Sequence, residues 1–160
     1  MQFNKGLPLF AVSLLLLSAS AAAVAAPFPA CNLMTQQTAA DIFGGPVGAG
    51  RVEMGTAAVS DCRFDAENGG FAEIGVMDLK AFGMPTAEMF KMMATQPNPG
   101  HQVEQIAGLG ESAFIVLGPD DATLNILIHD KALIVSTSKG KSAGIKAALI
   151  ATARQAIGKV

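Results

Sequence analysis

The chain contains two cysteines, Cys31 and Cys62, and this pair constrains the fold more than any other feature of its 160 residues. The segment between them opens Cys31-Asn32-Leu33-Met34-Thr35, passes through Gly44-Gly45-Pro46-Val47, and closes on Ser60-Asp61-Cys62-Arg63-Phe64. In a chain bound for an oxidising compartment, a lone pair of cysteines is expected to form a structural disulfide. A redox or metal-binding thiol pair would show a short C-x-x-C spacing, which is absent here. The expected bridge staples a short first helix to the first secure strand.

The compartment is read from the N-terminus. Lys5 and the amino terminus make a positive start, Leu7 to Leu17 an apolar run, and the small residues from Ala19 to Ala26 a signal-peptidase site. Residues 1–25 are expected to be a signal peptide cut after Ala25, because a cut after Ala26 would leave Pro27 directly behind it. An uncleaved anchor is the competing reading, since Leu7 to Ala26 is about long enough to span a bilayer. The alanine and serine content and the cleavage-like end argue against it. Cys31 lies well beyond the apolar run, so it does not read as a lipidated cysteine. The expected location is periplasmic or secreted, without membrane insertion after cleavage.

Residues 26–160 are expected to form one exported α+β domain with room for a hydrophobic core. Ten basic side chains face thirteen acidic ones once Lys5 is gone, a balance that speaks against nucleic acid or an anionic membrane as partner. The lack of any Trp or Tyr removes the usual stacking platforms for sugars and single strands.

Thr35 is placed to cap a helix over about Gln36 to Phe43, stopped by Gly44-Gly45-Pro46. A strand is expected around Arg51 to Met54. Cys62 to Asp65 and Phe71 to Leu79 alternate as strands about the turn Glu67-Asn68-Gly69-Gly70. A second helix runs from Pro85 or Thr86 to Gln96 and ends at Pro97-Asn98-Pro99-Gly100. Val103 to Ile106, Ser112 to Leu117, Ala122 to His129 and Ala132 to Thr137 read as strands. Ser142 is expected to cap a last helix carrying Ile145, Leu149, Ala153 and Ala156 at helical spacing, with Gly158 closing it. This order predicts an antiparallel sheet with helices packed on one face. The two halves have the outline of a helix-plus-meander repeat, without residue-level identity between them.

Candidate chemistry is sparse. Gly140-Lys141-Ser142 sits where a phosphate loop would end, but the glycine needed five residues earlier is Val135. Gly108-Leu109-Gly110 lacks the third glycine of a dinucleotide fingerprint and leads into a strand. Gly110-Glu111-Ser112 is no nucleophile elbow, and Asp120-Asp121 has too few oxygens for a calcium loop. His101 and His129 lie in loops and read as solvated. Met84, Met89, Met92 and Met93 beside His101 invite a soft-metal reading. On a 100° wheel, however, Ala87, Met89, Phe90, Met93 and Ala94 share one face opposite Glu88, Lys91 and Thr95, an ordinary buried stripe with Met92 at its border.

With these pieces placed, the chain resembles a group of bacterial exported domains of unknown function, often lipoproteins. The extracellular sensor domain of certain bacterial Ser/Thr kinases is a distant relative of that group. The resemblance rests on Cys31-x-Leu33-Met34-Thr35, Ala39-Ala40, Gly44-x-Pro46-Val47, Cys62-x-Phe64, Gly108-Leu109-Gly110-Glu111-x-Ala113 and Leu133-Ile134-Val135. It implies an α+β sheet domain with the Cys31–Cys62 bridge and a sensing or binding role at the cell envelope. It carries no catalytic residue. The expected function is a non-enzymatic exported binding or interaction domain, without cofactor or metal, for a small apolar ligand or an envelope protein. The expected groove lies beside the second helix, with Met84, Met89, Phe90, Met92, Met93 and His101 as candidates. The alternatives are a small periplasmic hydrolase using His101 or His129, and a structural or stress-related envelope component.

Overall fold

The computed structural model describes residues 28–83, 87–96 and 99–160, without the side chains of Ala87 and Met93. The expected signal peptide, Met84 and the Pro97-Asn98 stop lie outside the described residues.

Among the described residues, seven strands form one antiparallel sheet: β1 (Arg51–Gly55), β2 (Val59–Asp65), β3 (Phe71–Asp78), β4 (Gln102–Gln105), β5 (Ser112–Leu117), β6 (Ala122–Ile128) and β7 (Lys131–Ser138). Their spatial order is β1-β2-β3-β7-β6-β5-β4. Two meanders, β1 to β3 and β4 to β7, therefore meet where β3 pairs antiparallel with β7 in the centre, from Phe71 opposite Ser138 to Asp78 opposite Lys131. Short turns reverse each strand beside its predecessor within each meander, and one longer connection leads from β3 in the centre to β4 at the far edge.

The expected α+β class with one disulfide is present, and the first helix, α1 (Gln36–Phe43), matches its expected bounds. The Thr35 hydroxyl accepts from the Thr38 N–H at 3.2 Å, and Gly44 ends the helix at φ +85° with its N–H on the Ala40 carbonyl at 2.9 Å. The last helix, α3 (Ile145–Ile157), starts later than expected. Ser142 does not cap it: its N–H donates to the Ile42 carbonyl at 3.0 Å and its own carbonyl accepts from Ile145 at 3.1 Å. That residue ties the end of α1 to the loop before α3, so the helix begins only after Gly144.

Both α1 and α3 lie against the face that carries Ile74, Ile115, Leu124, Ile126, Leu133 and Val135, and bury Ile42 and Leu149 there. Cys62 projects into the same core, and Cys31 reaches it from a short 3-10 helix (Ala30–Asn32), the two Cα atoms lying 4.9 Å apart.

The second helix, α2 (Ala87–Ala94), corrects the expectation of helices on one face only. Its Phe90 and Ala94 pack with Leu79, Phe114, Leu127 and Ala132, the residues that alternate onto the opposite side of the sheet. The reason is the apolarity of the second meander: in β6, Leu124 and Ile126 point to one face while Asn125 and Leu127 point to the other, and all four are buried. A strand apolar on both sides needs a cover on both. Phe90 supplies it, its ring 6.5 Å from that of Phe114 and tilted by 47°.

Gly108-Leu109-Gly110 is the tight entry to β5 that the sequence implies. Both glycines have positive φ, Leu109 is buried, and a Cβ on Gly110 would stand 2.3 Å from the Leu127 carbonyl oxygen.

Candidate functional site

The residues expected to form a groove beside α2 separate into different environments. Phe90 is fully buried and fastens the helix to the sheet. Met89 and Met92 are 37% and 68% exposed, so the buried stripe is narrower than the wheel suggests. Met89 stands on the solvent side because Phe90 and Ala94, four positions apart, already define the line of contact. Met93 belongs to the helix, but its side chain lies outside the described residues, as does all of Met84. Val103 on β4 pairs with Val116, whose side chain alternates onto the same sheet face as Phe114. Met89, Met92 and Val103 are thus exposed apolar groups on the α2 side of the sheet.

His101 is not solvated in the way its Pro/Gly surroundings suggest. Its side chain is 14% exposed, and its Nε2 lies 3.0 Å from the Asp121 carboxylate. The pair joins the segment before β4 to the β5–β6 turn, where glycine is required at position 118: a Cβ there would sit 1.8 Å from Asp121 Oδ1 and 2.5 Å from His101 Nε2. His129 lies in the exposed β6–β7 turn at φ +55°, its N–H donating to Glu111 at 3.2 Å. The two histidines are held by separate turns. Lys141 of the apparent phosphate-loop remnant donates to the Gly118 carbonyl, which makes Gly140-Lys141-Ser142 a strand-to-helix turn anchored on its neighbour. Among the described residues, no group of three or more His, Cys, Asp or Glu side chains converges to hold a metal ion.

The uncovered half of the α2-side face is charged. Arg51 and Arg63 both reach Asp65, at 2.8 and 2.7 Å, and the Arg63 guanidinium stacks 3.8 Å above the Phe71 ring. Hydrogen bonds from Arg51 and then Arg63 hold the Asp65 carboxyl below its ordinary range. Glu73, directly opposite Arg63, is shifted the other way. Partial burial and the nearby Asp61 charge raise its pKa, against a weaker pull from Arg63.

A concavity with mixed chemistry lies elsewhere, at the end of the sheet where β3 finishes and β7 begins. It is an open cleft of about 420 Å³ between the Phe28-Pro29 lead-in, the β1–β2 turn and the ends of β3 and β7. Its walls are Phe28, Val59, Val76 and the alanines Ala57 and Ala58. Local rules shape each wall. The Thr56 hydroxyl accepts from the Ala58 and Val59 N–H groups at 3.2 and 2.9 Å and so closes the β1–β2 turn. The Ser60 hydroxyl donates to the Phe28 carbonyl and pins the lead-in across the sheet.

Two charges enter this cleft. Asp78 and Lys131 face each other directly across the β3–β7 ladder. Asp78 Oδ1 accepts from the Lys80 and Ala81 N–H groups at 3.0 and 3.2 Å and so holds the first turn of a short 3-10 helix (Lys80–Phe82). Lys131 donates from Nζ to the Val160 carbonyl oxygen at 2.9 Å and stands 5.9 Å from the Phe28 ring centroid. Lys80 and Asp130 pair beside them at 2.6 Å. An apolar hollow of this size with a few convergent polar groups is the usual form of a small-molecule site, for which volumes run about 300–1,000 Å³.

This cleft is not legible in the sequence. Its parts come from the lead-in, an ambiguous Gly/Ala-rich stretch and a hairpin turn, and their meeting depends on β3 pairing with β7. The one local signal is Asp78, a charge on the strand face that Ala72, Ile74 and Val76 make apolar.

No family model matches the chain, and no curated protein or solved structure matches it.

Proposed function

We propose that the protein is a non-enzymatic, exported binding domain of the cell envelope, and that the cleft between Phe28, Val76, Asp78 and Lys131 is where it meets a small ligand. The cleft carries this reading: it joins apolar walls to two charged groups at the one place where the lead-in, a hairpin turn and the central strand pair converge. Export is supported by the leader-like first 25 residues and by the Cys31–Cys62 disulfide, which belongs to an oxidising setting. Among the described residues, no helix is long and apolar enough to cross a membrane.

A second reading, docking of an envelope protein on α2, is favoured by the exposure of Met89 and Met92 beside the buried Phe90. Flexible methionines suit adaptable apolar contacts. One experiment separates the two. Fluorescence of the neutral probe N-phenyl-1-naphthylamine is titrated with the wild-type protein, with Ala57→Trp and with Met92→Gln. Ala57 is an exposed turn residue, so tryptophan there fills the cleft from its rim with little cost to folding. Probe binding that disappears in Ala57→Trp and persists in Met92→Gln is the expected result. The reverse pattern assigns the apolar site to α2, and binding that neither change alters rejects both.

A further inference from the structure

The Asp78–Lys131 pair has an unusual property for two opposite charges in direct cross-strand register: among the described residues no ion pair joins them. Each is held by the backbone instead. Asp78 uses one oxygen, Oδ1, for the two N–H groups of the following 3-10 turn. Lys131 uses one of its three N–H donors for the Val160 carbonyl. The Asp78 Oδ2 atom and two ammonium hydrogens of Lys131 thus make no hydrogen bond among the described residues, while both side chains line the cleft and the ammonium faces the Phe28 ring. Lys80 and Asp130 pair with each other at 2.6 Å and reach Asp78 and Lys131 only through longer-range charge interactions.

A separated acid and base held by the backbone on an apolar floor matches a ligand with the complementary pair of charges. We infer that the cleft binds the zwitterionic end of a small apolar amino acid. Its ammonium meets Asp78, its carboxylate meets Lys131, and its side chain rests on Phe28, Val59 and Val76. The volume, at the low end for ligand sites, suits a single residue rather than a longer peptide. Facing strands place the two Cα atoms about 5 Å apart, a spacing that lets both side chains reach the adjacent ends of one α-amino acid. This inference rests on the cleft being the ligand site proposed above.

The test uses L-leucine, N-acetyl-L-leucine and L-leucinamide as probes in isothermal titration against the wild-type protein. L-leucine should bind one to one. Removing the ligand's positive or negative end should weaken binding roughly tenfold or more, the usual effect of deleting one charge-assisted hydrogen bond. Asp78→Asn, which keeps the Oδ1 acceptor and removes the charge, should lower L-leucine affinity to that of N-acetyl-L-leucine and leave the latter's own affinity unchanged. Lys131→Gln should do the same for L-leucinamide. Equal affinity for all three probes overturns the inference while leaving the cleft as a ligand site. Binding of N-phenyl-1-naphthylamine in the cleft without any L-leucine binding also overturns it. Failure of every probe, the naphthylamine included, removes the cleft reading itself.

Discussion

Replacing Cys31 and Cys62 together by alanine should destabilise the domain by about 3.7 kcal/mol through chain entropy alone. The bridge spans a sequence separation of 31, and closing a loop of that length removes about 12 cal/mol/K from the unfolded ensemble. Cys62 is fully buried, so the missing sulfur adds a small cavity cost of about 1 kcal/mol. For a domain of this size the sum lowers Tm by roughly 13–18 °C. Guanidinium unfolding monitored by far-UV circular dichroism measures the change. The slope with denaturant should rise as well, because an uncrosslinked unfolded chain expands and exposes more surface. Wild-type protein unfolded in reducing buffer should agree with the double variant to within about 1 kcal/mol, since the cavity term then drops out. A loss below about 1 kcal/mol with an unchanged slope would refute the reasoning. It would mean that the segment around Leu33 and Met34 remains restrained in the unfolded chain without the bridge.

The remaining predictions concern the two faces of the sheet. Phe90→Ala should cost about 3–5 kcal/mol in urea unfolding, whereas Met92→Ala should stay within about 0.5 kcal/mol, because the first ring is buried on Phe114 and the second side chain is 68% exposed. Similar losses from both would contradict the placement of α2. Glu73→Gln should raise the urea midpoint at neutral pH. The native pKa of Glu73 lies above its ordinary value of 4.5, so the folded state binds its proton more readily than the unfolded state does. The charged carboxylate therefore disfavours folding above the native pKa, and this penalty fades as pH falls toward 4.5. The gain from glutamine should shrink over the same interval. A variant less stable than wild type at pH 7 would indicate that Arg63 binds the Glu73 carboxylate after all.

Much of the fold was legible because it is written in local signals. Thr35 and Gly44 bound α1 through a cap and a left-handed turn, and the alternation of Cys62, Phe64, Ala72, Ile74 and Val76 marks two half-buried strands. The disulfide needed only a count of cysteines and a compartment. Legibility failed where a residue's role was set by a distant partner. Ser142 has the chemistry of a cap, yet its backbone is taken by Ile42, a contact across the α1–α3 interface. His101 sits in a loop of solvent-facing composition, yet Asp121, twenty residues away, shields it. Met89 shares a wheel face with Phe90, but the direction of approach to the sheet exposes one and buries the other.

What this sequence determines by itself is the set of elements, their approximate ends, the antiparallel α+β class and the single bridge between Cys31 and Cys62. Each follows from interactions within a few residues or from composition. Only the tertiary structure decides that α2 crosses to the opposite face and that the two meanders join through β3 and β7. The same pairing brings Asp78 opposite Lys131, 53 positions along the chain, and the lead-in at Phe28 covers them. Sheet order is chosen by which apolar faces can be buried together, a global condition that periodicity along one strand does not contain. The candidate site is built wholly from that choice. The cysteines tie the short 3-10 helix before α1 to β2, while the cleft where the protein is proposed to bind exists only once the central strand pair has formed.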